Sequence, residues 1–98
     1  MPYDLQDAED LHEEPKVEEW YRDLLETTGV RPEEYLDGLH QFSRHTNTHP
    51  EELLRMAAES RKKLIERFRK DQEARGRDVR TSLAAVHSWI EHKKAGLA

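Results

Sequence analysis

Histidines and carboxylates are the first residues in this 98-residue chain that suggest chemistry. There are six histidines and no cysteine, so a metal would have to be held by imidazole and carboxylate. Such a site needs three or four ligands converging in fixed geometry. His45 and His49 are separated by Thr-Asn-Thr and followed by Pro50, so they do not share a helix turn. His87 and His92 fall about 140° out of phase on a helix of about 100° per residue. His12 and His40 stand alone. Neither a metal site nor a cofactor is expected. The pairs Glu13-Glu14, Glu18-Glu19, Glu33-Glu34 and Glu51-Glu52 sit at or near helix starts, where the helix dipole attracts acids without any catalytic role. Ser43, Ser60, Ser82 and Ser88 lack the strained turn that exposes a serine nucleophile. The glycines are isolated and build no phosphate loop. No enzymatic activity is expected of this chain.

The basic residues differ. Arg61, Lys62, Lys63, Arg67, Arg69, Lys70, Arg75, Arg77 and Arg80 set nine bases against four acids within residues 60–80. Part of the series reads as a solvated helix face held by i, i+4 pairs: Glu59–Lys63, Glu66–Lys70 and Arg67–Asp71. Arg75, Arg77 and Arg80 do not fit that reading. They bracket a turn and enter a helix start, where cations are unfavourable. Their placement implies an anionic partner, to which the helix amides would also point, and phosphate is the obvious anion. The net charge of -5 conceals an asymmetry. Residues 1–34 carry twelve acids and three bases, whereas residues 35–98 carry nine acids and thirteen bases. Binding responds to the local field, so a basic face can act beneath an acidic total.

These residues must be positioned by helices. Apolar content is 35% and charged content 38%, with Leu, Glu, Arg, Lys and Ala dominant, which implies a single small all-α domain. The absence of cysteine excludes disulfides and thiolate catalysis. No apolar run approaches the roughly 18–20 residues that span a bilayer. The acidic start MPYDLQDAEDLHEEP is not a signal peptide, so a cytoplasmic protein with no membrane partner is expected.

Residues 1–14 form an acidic arm, at most weakly helical, with Tyr3, Leu5, Ala8 and Leu11 at helical spacing. Pro15 opens a helix with Val17, Trp20, Tyr21, Leu24 and Leu25 on one face and Gly29 past its end. A second helix starts near Pro32, presents Tyr35, Leu36, Leu39 and Phe42, and stops in HTNTHP. Pro50 opens a third, capped by Thr48 or His49, that runs to about Ala74 with a bend or break near Ser60. Its apolar positions are Leu53, Leu54, Met56, Ala57, Leu64, Ile65 and Phe68, and Gly76 ends it. Asp78 caps the fourth, where Val79, Leu83, Val86, Trp89 and Ile90 form the stripe and Gly96 marks the end. Trp20, Tyr35, Phe42, Phe68 and Trp89 are read as core.

Three stretches carry a resemblance. VEEWYRDLLETTGVRPEEYLDGLHQFSRHTNTHPEELL has a Trp-led helix and then a Tyr/Leu helix ending in Phe. HPEELL resembles a common turn into a third helix. LIERFRKDQEARGRDVRTSLAAVHSWIEHKKAGL has a Phe-containing helix, a Gly turn and a last helix with Thr near its start. Together, over residues 15–98, they resemble the N-terminal core-binding domain of tyrosine recombinases, the phage-type integrases and their archaeal relatives. The resemblance implies a four- to five-helix SAM-like orthogonal bundle forming half of a clamp on double-stranded DNA. It implies a role in DNA recombination or integration, without strand cleavage by this chain. The catalytic half would supply Arg, Lys, His and a nucleophilic Tyr, and Tyr3, Tyr21 and Tyr35 match no such motif. The implied DNA-facing positions are Arg44, His45, Thr46, Arg77, Arg80, Thr81, His87 and Lys94, which Arg75 joins from the basic series. Lys93-Lys94-Ala95-Gly96 reads as the start of a linker. Contact with a catalytic domain or a second copy is a further expected partnership. The alternative is a small helical protein–protein interaction or assembly module, its acidic arm and basic helix matching complementary surfaces.

Overall fold

Helix starts follow the prolines. The computed structural model describes residues 3, 5–27 and 29–97, with side chains through His92. Its helices are α1 (Ala8–His12), α2 (Pro15–Glu26), α3 (Pro32–Thr46), α4 (Pro50–Arg55), α5 (Ala58–Ala74) and α6 (Arg80–Leu97). No strand occurs among the described residues. Pro15, Pro32 and Pro50 each sit at the first helical position, where a missing N–H has no helical acceptor to lose. Asp7 caps α1 by accepting from the Asp10 N–H at 2.9 Å. His49 caps α4, its Nδ1 accepting from the Glu51 N–H at 3.1 Å. Asp78 receives the Arg80 N–H at 2.9 Å.

Left-handed residues make the sharp stops of α3 and α5. Asn47, at φ 55°, ends α3, and the Thr48 N–H then reaches the Ser43 carbonyl at 3.0 Å. Gly76, at φ 73°, ends α5. There the Arg77 N–H bonds Gln72 O at 2.9 Å and the Gly76 N–H bonds Glu73 O at 3.0 Å. This closure satisfies orphan carbonyls and turns the chain toward α6.

Three expectations are revised. The helix expected over Pro50–Ala74 is two helices, parted at Met56 and Ala57, whose ψ values are 147° and 146°. The break precedes Ser60 because the Arg61 guanidinium donates to Leu53 O at 2.9 Å and Met56 O at 3.5 Å, satisfying the end of α4 from outside it. The acidic arm also forms α1, so six helices stand where four or five were expected. Its Leu11 is fully buried, and Tyr3 donates its N–H to Asn47 Oδ1 at 2.8 Å while its hydroxyl meets His40 Nδ1 at 2.7 Å. Residues 93–96, expected to begin a linker, are helical instead, with Gly96 in the last turn of α6 just before Leu97.

The core joins Leu11, Val17, Trp20, Leu24, Leu36, Leu39, Phe42, Leu53, Phe68, Val79, Val86, Trp89 and Ile90. Trp20 and Trp89 meet edge to face at 5.7 Å, and Phe42 and Phe68 at 4.9 Å, arrangements that suit the ring quadrupoles. Trp89 Nε1 donates to Pro50 O at 2.9 Å, tying α6 to the start of α4. Tyr35 is half-buried, and Leu25 is 62% exposed, about 140° round the helix from Trp20. α3 and α6 make the main helix pair. They approach so closely at Gly38 that a Cβ there would sit 3.0 Å from Ser82 Cα. No described helix is long and apolar enough to cross a membrane.

Candidate nucleic-acid interface

The end of α3 and the turn between α5 and α6 come together. Gln41, Arg44 and His45 from α3, Phe68 and Gln72 from α5, and Arg77 from the turn line one cleft of about 480 Å³. Arg77 reaches it because the Gly76 closure redirects the chain immediately after α5. Arg44 and Arg77 are exposed and have no carboxylate partner among the described residues. Like charges facing one cleft raise its potential and favour an anion between them.

The other expected contacts have different surroundings. His45 is engaged at both ring nitrogens: Nε2 meets Asp71 Oδ2 at 3.3 Å, and Nδ1 meets Gln72 Nε2 at 3.3 Å. Its ring also packs on Phe68 at 5.4 Å. His45 therefore fastens α3 to α5 on the cleft wall. The Thr46 hydroxyl donates to Phe42 O at 2.8 Å and serves its own helix. Arg75 occupies the C-cap of α5, where a cation complements the dipole. Its position is favourable by itself and needs no anionic partner. Arg80 is answered locally, donating from Nε and a terminal NH2 to Asp78 at 3.2 and 3.1 Å. The guanidinium lowers the Asp78 carboxyl below its usual range, and Asp78 raises Arg80 in return. Of the three arginines that seemed misplaced at the turn, Arg77 alone keeps that status. Thr81 and His87 are exposed on α6 and do not line the cleft. Lys94 lies in α6, its side chain outside the described residues.

The charge pairing along α5 also departs from expectation. Glu66 pairs with Arg69 at 2.7 Å rather than with Lys70, and Arg69 reaches Glu73 at 3.1 Å as well. The planar guanidinium fork presents five donors, enough to serve both carboxylates at once. The hydrogen bond from Arg69 lowers Glu66 and raises Arg69. Asp71 turns to His45 rather than to Arg67. Lys63, Arg67 and Lys70 are left exposed without a carboxylate partner among the described residues. A shallower groove of about 280 Å³, lined by Met56, Ser60, Lys63, Leu64 and Arg67, runs beside them. The i, i+4 spacing alone assigns each of these cations an acid and so conceals them. The competing Glu66–Arg69 spacing was the available signal.

Between α2 and α6, Trp20, Asp23, Leu24, Glu26, Thr27, Ser88, Glu91 and His92 line an acidic groove of about 570 Å³. No group of three or more potential metal-ligating side chains converges among the described residues. Comparison with known protein families, characterised proteins and solved structures finds no match.

Proposed function

We propose that this chain is a DNA-binding domain of the SAM-like, core-binding kind that it resembles in tyrosine recombinases, gripping duplex DNA through backbone phosphates. Strand cleavage in this reading belongs to a separate catalytic domain. The observation that carries the proposal is the cleft where Arg44 and Arg77 meet without a carboxylate between them. Phosphate contacts of this kind position a protein on DNA and carry no sequence information directly. The SAM-like orthogonal arrangement is part of the proposal, with α1 and the α4–α5 break as additions to the simpler bundle. Titration of a labelled duplex at about 50 mM salt tests it: Arg77→Glu should weaken binding about tenfold or more. Unchanged affinity would contradict the assignment of the cleft.

A second reading, a protein-interaction module, is favoured by the acidic groove and the exposed Leu25. Light scattering across ionic strength separates the two. A salt-sensitive dimer that does not shift DNA supports the interaction module.

A further inference from the structure

We propose that Lys63, Arg67 and Lys70 form a second phosphate-contacting surface, so that α5 and the cleft beside it together touch both backbones of one duplex. The inference rests on the DNA-binding reading and extends it to residues outside the cleft. Positions 63, 67 and 70 follow i, i+4, i+7 spacing and share one ridge of the helix. The ridge lies about 100–160° round the axis from Phe68, which faces the core. It is therefore separate from the cleft wall that Phe68 and Gln72 build.

Three exposed cations along one ridge repel one another. The acids that sequence spacing assigns to two of them are diverted, Glu66 to Arg69 and Asp71 to His45. The ridge thus carries three exposed cations held in no ion pair among the described residues, with Lys70 acting on Glu66 only at longer range, and is complementary to a line of phosphates. The neighbouring groove adds the Ser60 hydroxyl beside Lys63 and Arg67, and hydroxyls are common donors to phosphate oxygens. On the other flank of α5, Arg69 is shared by Glu66 and Glu73.

The dimensions agree. An α-helix with side chains is about 10–12 Å across, and the major groove of B-DNA is about 12 Å wide. With α5 over that groove, the Arg44–Arg77 cleft meets one backbone and the ridge meets the other. Leu64, Asp71 and Ser60 lie on the flank between them, about 40–80° from Phe68, and Asp71 is held by His45.

The test is the salt dependence of duplex affinity, since each neutralised phosphate contributes about −0.9 to the slope of log K against log salt. The triple variant Lys63→Gln/Arg67→Gln/Lys70→Gln replaces the cations with good helix formers, and circular dichroism verifies its helix content. Its slope should be shallower by about 2–3, and that of Lys70→Gln alone by about 1. Arg22→Gln, which removes a cation already paired with Glu18 on α2, should leave the slope unchanged. If both ridge variants keep the parent slope while Arg44→Gln/Arg77→Gln flattens it, the ridge assignment is overturned and the DNA-binding reading stands. If the unsubstituted chain binds no duplex, both fall.

Discussion

Arg80 shows how a local partner changes the meaning of a residue. Its position at a helix start implied an external anion, but Asp78 supplies the negative charge from two residues away. For Arg80 to reach a phosphate it must leave or share that carboxylate. Asp78→Asn keeps a side chain able to accept the Arg80 N–H and removes the competing charge. It should therefore tighten duplex binding by roughly 2–5-fold at low salt, because an exposed ion pair is only weakly held. Weaker binding by this variant, with α6 intact, would show that Arg80 does not contact DNA. Because folding lowers the Asp78 carboxyl, its contribution to the start of α6 is present above the ordinary value of 3.8 and is lost as pH falls through the lower native value. A carbon-detected titration of Asp78 should accordingly give a midpoint below 3.8. At the other end of the chain, Tyr3→Phe removes the hydroxyl that meets Nδ1 of the buried His40. The expected loss, read by urea unfolding, is about 1–2 kcal/mol.

At the scale of elements, what was legible depended on how local the cause was. The starts at Pro15, Pro32 and Pro50, the Gly76 stop and the Trp89 stripe are written in neighbouring residues and appear as expected. The α4–α5 break was misplaced because Met56 and Ala57 are not helix breakers, and Arg61 acts on carbonyls five and eight residues before it. The engagement of His45 by Asp71 and Gln72 was not legible, because both partners come from another helix. Arg77 was readable from charge at a turn and Arg44 only through the resemblance, whereas the cleft that they line together required the fold. Their union depends on how α3 seats α6. A Cβ at Gly38 would meet Ser82 Cα at 3.0 Å and Thr81 O at 3.2 Å, both backbone atoms with little freedom to move. Overpacking costs about 1–3 kcal/mol, while Gly→Ala in a helix returns about 1 kcal/mol. Gly38→Ala should therefore destabilise the fold by about 1 kcal/mol net in urea.

For the whole molecule, the separation of charge is the organising feature. The chain totals -5, yet Arg44 at the end of α3, Arg77 in the α5–α6 turn and Lys63, Arg67 and Lys70 on the outer ridge of α5 are exposed and in no ion pair among the described residues. The acidic groove lies between α2 and α6. The body measures 34 Å along its longest axis, about ten base pairs at 3.4 Å each, so a duplex of roughly 20 base pairs accommodates it. The central claim is that this locally basic surface grips phosphates despite the acidic total. The most direct measurement is log K against log salt for the unmodified chain on such a duplex. A linear decline with a slope between about −3 and −5 is predicted, from two cleft arginines and three ridge cations at about −0.9 per phosphate. A chain that retains its helical circular dichroism and binds no duplex at about 50 mM salt, or binds with a slope near zero, would contradict it.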